Sequence, residues 1–119
     1  MKIDYKVNSK TIVSIDAKDE QDALTQLAKI VEIFGNDTCE KCKKNNIIPV
    51  VRVVDKYTYY EFKCKDCGAI LQFGTSQEDK KLYPRRYEMD GTKPKLDADG
   101  NKCWLPDHGW IRWNGQEYV

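Results

Sequence analysis

The chain has 119 residues, of which 40% are hydrophobic and 33% charged, and its formal net charge is +1. That size makes one soluble domain or two very small ones, and it leaves no room for a large core, so a structural metal is a natural source of additional stabilisation. No stretch approaches the roughly 20 apolar residues of a membrane span. The opening Met1-Lys2-Ile3-Asp4 leads into no secretory signal, which implies a reducing cytoplasm.

The small net charge conceals a segregation. Residues 39–87 carry 11 basic and 6 acidic side chains, whereas residues 1–38 carry 5 and 7 and residues 88–119 carry 4 and 6. Four thiolates around one divalent cation would leave the centre at about +3, still basic between two mildly acidic ends. Such a pattern suits an anionic partner.

Residues 2–16 alternate loosely: Ile3, Tyr5 and Val7 on one face, then Ile12 or Val13 and Ile15 after the polar Asn8-Ser9-Lys10. This spacing predicts a hairpin or two short strands. A helix is expected over 19–34, with Asp16 as its cap and Asp19, Glu20 and Asp22 near the positive end of its dipole. Leu24, Leu27, Ala28, Val31 and Phe34 supply its apolar face, Ile30 and Ile33 widen it, and Gly35 is a natural terminator. The helix is expected to pack on the N-terminal strands or on the domain that follows.

That domain is organised by two C-x-x-C pairs, Cys39-Glu40-Lys41-Cys42 and Cys64-Lys65-Asp66-Cys67, 21 residues apart. Each such turn presents two sulfurs to one side of an ion, and two turns on different strands complete a tetrahedron, so Cys39, Cys42, Cys64 and Cys67 predict a single structural Zn²⁺. A redox C-x-x-C would occur once, beside a βαβ pattern, and disulfides would suit a secreted chain. Between the pairs, 47–54 and 56–64 read as antiparallel strands with a turn near Asp55-Lys56, and 69–73 as a third strand. Strand alternation puts Tyr60 and Phe62 on the side of Cys64, and Tyr57, Tyr59, Glu61 and Lys63 on the other. The fold class is therefore α+β: a small zinc ribbon of three antiparallel strands over 39–74, an N-terminal ββα element over 1–38, and an aromatic-rich extension over 75–119.

Residues 74–81 read as a polar loop leading to Leu82-Tyr83-Pro84-Arg85-Arg86-Tyr87, the densest basic and aromatic cluster. Cations neutralise phosphates and tyrosine rings stack on unpaired bases, a combination suited to single strands. The same residues also serve as a solvated loop anchored by Leu82 and Tyr83. Farther on, Trp104, Trp110 and Trp113 are expected to fold partly back onto the ribbon, and Asn114-Gly115 predicts a type I′ hairpin. The run Asp97-Ala98-Asp99-Gly100-Asn101 lacks the later ligands of a calcium loop and reads as a turn. Cys103 and His108 are too few for a second metal. No Gly-rich phosphate loop, serine elbow or H-E-x-x-H motif is present, which argues against an enzyme.

The runs Tyr57-Thr58-Tyr59-Tyr60-Glu61-Phe62-Lys63-Cys64-Lys65-Asp66-Cys67-Gly68-Ala69, Phe73-Gly74, Leu82-Tyr83-Pro84-Arg85-Arg86 and Trp104-Leu105-Pro106-Asp107-His108-Gly109-Trp110 resemble a family of small bacteriophage zinc-ribbon proteins. The resemblance covers residues 39–113. Some members are labelled single-stranded DNA-binding, so it implies a phage protein in a host bacterial cytoplasm. One departure is Lys43, which follows Cys42 where ribbons commonly carry glycine.

The expected function is binding of single-stranded nucleic acid, DNA foremost, in replication or recombination. Arg52, Lys80, Lys81, Arg85 and Arg86 would meet phosphates, and Tyr57, Tyr59, Tyr83, Tyr87, Trp104, Trp110 and Trp113 would meet bases. The alternative is a module that binds a host or phage protein, since ribbons serve both uses.

Overall fold

The computed structural model describes every residue except Gln77, Asp79 and Thr92. Gln77 and Asp79 belong to the stretch expected as a loop over 74–81, so that part of the expectation lies outside the described residues. The chain divides into two compact units, Met1–Asp37 and Thr38–Val119.

In the first unit, β1 (Lys2–Lys6) and β2 (Ile12–Asp16) form an antiparallel hairpin in which Ile3 faces Ile15. Helix α1 (Glu20–Phe34) follows. Its cap is Asp19, not Asp16: the Asp19 side chain accepts from the Asp22 N–H at 2.8 Å, because Asp19 is the last residue with extended backbone. Asp16 ends β2. The buried helix face also differs from the expected one. Ala23 is buried with Ile15 and Ala17, and Leu27, Ile30 and Ile3 pack against them, while Leu24 and Val31 are exposed. Both Leu24-Leu27-Val31 and Ala23-Leu27-Ile30 satisfy helical spacing, and the small Ala23 lets the helix approach the strand closely. Gly35 stays right-handed at φ −68°, donating to the Val31 carbonyl at 2.8 Å, so it extends the last turn and does not terminate it through a left-handed step.

The second unit holds the sheet. Strands β3 (Ile47–Val54) and β4 (Tyr57–Cys64) pair along their whole length around the two-residue turn Asp55-Lys56, with Asp55 at φ 56°. Strand β5 (Ile70–Thr75) pairs with β4, but only from Glu61↔Gln72 to Lys63↔Ile70. The expected three strands are joined by two more. Strand β6 (Leu82–Pro84) pairs with the far end of β5, and β9 (Trp110–Ile111) pairs with its near end, placing Trp110 opposite Leu71. Between them lies the small ribbon β7 (Met89–Asp90) and β8 (Lys93–Pro94). Residues 39–74 and 75–119 therefore form one unit.

The core of this unit consists of Phe62, Cys39, Cys64, Ala69, Ile70, Leu71 and Trp110, with Phe73 edge-on to Phe62 at 5.5 Å. Trp110 and Leu71 are both 0% exposed. The C-terminal turn departs from a two-residue hairpin: Trp113 and Tyr118 form an isolated bridge across four residues, and Asn114 Oδ1 accepts from the Gln116 and Glu117 N–H groups. An Asx-type turn satisfies the backbone that a type I′ turn would have paired. Because β5 turns away to β6 after Gln72, the end of the β3–β4 hairpin runs on alone, and every residue from 51 to 60 is exposed. This two-stranded arm leaves Tyr60 exposed although it shares the side of Phe62 and Cys64.

Candidate metal centre and aromatic surface

Two turns of matching design bring the four cysteines together. In the first, the Lys43 N–H donates to the Cys39 carbonyl at 2.8 Å and the Cys39 N–H donates to the Lys44 carbonyl at 2.9 Å. In the second, Gly68 donates to the Cys64 carbonyl at 2.9 Å and Cys64 to the Ala69 carbonyl at 2.8 Å. The residue after each second cysteine is left-handed, Lys43 at φ 63° and Gly68 at φ 78°. The two turns are tied by the Lys65 N–H, which donates to the Asn46 carbonyl at 2.9 Å.

All four sulfurs lie within 4.8 Å of one another, and the pairs Cys39–Cys67 and Cys42–Cys64 are 3.6 Å apart. A tetrahedral ion with metal–sulfur bonds of about 2.3 Å has edges of about 3.8 Å, so the donor set fits a metal ion with little adjustment. None of the five cysteines is in a disulfide. Cys103 stands outside the cluster, and His108 stacks on Trp104.

The cluster is primed unevenly for ionisation. Burial pushes the Cys39 thiol up to about 12, against hydrogen bonds from the Cys42 and Lys41 N–H groups. Burial likewise raises Cys64. For Cys67 burial also disfavours the thiolate, but the Ala69 N–H and hydrogen bonds from Cys39, Cys42 and Cys64 outweigh it and bring Cys67 to about 7. Cys67 is thus the thiol of the three that ionises first.

Of the two cysteine turns, the first places a side-chain-bearing residue, Lys43, where the second has glycine. A left-handed non-glycine residue costs about 1 kcal/mol or more, and its exposed ion pair with Glu40, at 2.7 Å, returns little. Lys43→Gly is therefore expected to stabilise the second unit by about 1 kcal/mol in denaturant unfolding, with metal content unchanged.

The other residues expected at a binding site are scattered over several surfaces. On the arm, antiparallel register places Arg52 beside Tyr59 and Val54 beside Tyr57 on one face. The Arg52 guanidinium lies 5.2 Å from the Tyr59 ring centroid, and Lys56 Nζ lies 5.9 Å from that of Tyr57. Arg52 is also engaged by Glu61 through bonds of 2.8 and 3.3 Å, and Glu61 is buried. Arg52 therefore neutralises a buried carboxylate while lying over Tyr59. Lys63 shares this face, and Tyr118 is near enough to act electrostatically on Arg52. Tyr118 in turn sits edge-on to Trp113 at 5.3 Å.

A second stack joins Tyr87, Trp104 and His108, with centroid separations of 4.5 and 4.0 Å and Lys102 over Tyr87 at 4.9 Å. Near it, Asp107 and His108 are both left-handed, and Asp107 bonds Lys41 of the first cysteine turn at 2.6 Å, which holds the Asp107 carboxyl below its usual range. Gly109, at φ 94°, packs so closely on the Arg85 carbonyl that a Cβ would collide with it.

No family model, curated protein or solved structure matches the chain.

Of the remaining expected residues, Lys80, Lys81 and Arg85 are exposed, and Tyr83 is half-buried with its ring against Gly74. Arg86 is half-buried, and desolvation lowers its pKa against the field of Glu40. Trp110 belongs to the core and presents no ring to a base, a correction that follows from its pairing with Leu71. Beside the expected rings lie Lys56, Lys102 and Tyr118, which were not among the expected site residues, and Lys63, which alternation had already placed on the Tyr57–Tyr59 face. The adjacency of Lys56 and Tyr57 at a hairpin turn was a local signal, whereas Lys102 and Tyr118 depend on pairing between distant segments.

Proposed function

We propose that the second unit is a zinc ribbon and that it binds single-stranded nucleic acid through the face of the β3–β4 arm. Zinc is the favoured ion because four thiolates in a closed tetrahedron suit Zn²⁺, and a set without an open position is structural and not catalytic. The observation that carries the nucleic-acid reading is the coincidence on one exposed face of Tyr57 and Tyr59, each under a cation, with Lys63 beyond them. Exposed rings on a β-surface offer flat platforms for unstacked bases, and flanking ammonium groups reach the phosphates between them. A duplex hides its base faces, so the platform favours single strands.

In this reading Arg52 prepares the site and does not itself meet phosphate. Its bonds to Glu61 fix the guanidinium over Tyr59, so little ring freedom remains to be lost on binding. Lys56 and Lys63 supply the charge contacts. Fluorescence anisotropy with a labelled oligothymidylate over a salt series tests the proposal. Lys56→Ala with Lys63→Ala is expected to lower the magnitude of the slope of log K against log salt by up to about 1.4, at about 0.7 per phosphate on a single strand. Absence of measurable binding at low salt would remove this reading.

A further inference from the structure

We infer that the free edge of β3 pairs with the same edge of a second copy of this chain, antiparallel about Arg52, to form a homodimer. Strand β3 is the last in its sheet, with β4 on one side and no strand on the other among the described residues. The turn closing the arm dictates which peptide groups look outward. Val54 and Tyr57 flank a two-residue loop and so exchange both of their hydrogen bonds. Alternation then directs the peptide groups of Val54, Arg52, Val50 and Ile48 to β4, and those of Val53, Val51, Pro49 and Ile47 to the open edge. Pro49 occupies an outward position, where its missing N–H breaks no bond to β4. Proline thus blunts the end near the cysteines, and Val51 and Val53 remain as the pairing-competent stretch.

This stretch complements itself. Val51 opposite Val53 of the copy, repeated by symmetry, forms four backbone hydrogen bonds with Arg52 near the two-fold axis. Charge does not oppose it, because Arg52 is the one charged residue of β3 and is neutralised within its own copy by Glu61 at 2.8 Å. An edge with no further cation offers nothing to phosphates, which argues against nucleic acid as its occupant. Edge strands are usually guarded by lysines, bulges or covering segments; here Val51 and Val53 are 62% and 69% exposed. Eight residues span about 27 Å, and edge pairing alone covers far less than the roughly 1,200 Å² of a standard interface. The dimer is accordingly reversible and concentration-dependent. Its axis stands normal to the sheet, so the Tyr57 and Tyr59 faces of both copies lie on the same side.

Sedimentation of the full chain with its metal, without nucleic acid, over about 1 to 300 µM tests the pairing at concentrations suited to a weak complex. The mass is expected to rise from 13.9 kDa toward about twice that value. Val51→Lys with Val53→Lys should hold the single-chain mass and keep the metal. Amide exchange should show Val51 and Val53 gaining protection with concentration, while Arg52 and Val54, bonded to β4, stay protected throughout. A wild-type chain that remains single at the highest concentration overturns the inference, as does a dimer that survives the double lysine substitution or leaves the Val51 and Val53 amides unprotected.

Discussion

Cys64→Ser is expected to abolish stoichiometric metal binding and unfold the second unit. Cys64 ends β4, is fully buried, and bonds through its backbone to both Gly68 and Ala69. A structural zinc ion contributes about 10–16 kcal/mol of apparent binding free energy, comparable to the whole stability of an ordinary domain. Elemental analysis should give one zinc per wild-type chain and much less for Cys64→Ser, with loss of near-UV ellipticity from buried Trp110. Cys103→Ser, outside the cluster, should retain both metal and fold. Acid should act in the same direction as chelation. Metal uptake requires thiolates, and Cys39, pushed up to about 12 by burial, must surrender a proton to the solvent. Proton competition therefore weakens apparent affinity as pH falls, and the chelator concentration needed for half-release should fall with it. A folded, metal-free wild-type chain would sink the assignment.

The cysteine spacing and the strands at 47–54 and 57–64 were legible because they rest on local pattern: fixed intervals, β-branched runs and a turn. What was not legible depends on pairing between distant segments. Trp104, Trp110 and Trp113 look alike in sequence, yet Trp110 alone is enclosed, because β9 adds to β5 opposite Leu71. Tyr60 and Phe62 share a parity, but β5 pairs beside Phe62 and not beside Tyr60 before turning toward β6. The ion pair of Arg52 with Glu61, two positions from Tyr59, follows from the register and has no local sequence signal. In the first unit the ambiguity was angular. Leu24 and Ala23 are one helical step apart, and the close approach to Ile15 selects the smaller residue.

Replacing Tyr57 and Tyr59 together by Ala is expected to weaken oligonucleotide binding by about 2–6 kcal/mol, since each stacked base contributes about 1–3 kcal/mol by this measure. The salt slope should barely change, because neither ring contacts a phosphate ion pair. That separates the substitution from Lys56→Ala with Lys63→Ala, which alters the slope first. Folding is not the confounding factor it would be at Trp110: Tyr57 and Tyr59 are 59% and 42% exposed, and the arm beyond Glu61 carries none of the buried core. Arg52 is the wrong residue for this test. Its removal would leave the Glu61 carboxylate buried without its partner, at a cost to stability that mimics lost binding. Single substitutions add a further check. Tyr59 is held by Arg52, whereas Tyr57 lies beneath the flexible Lys56, so the preorganised Tyr59 ring should show the larger loss. If the double substitution leaves affinity unchanged while metal content and fold are intact, the arm is not the nucleic-acid surface, and the Tyr87–Trp104–His108 stack with Lys102 becomes the surface to substitute next.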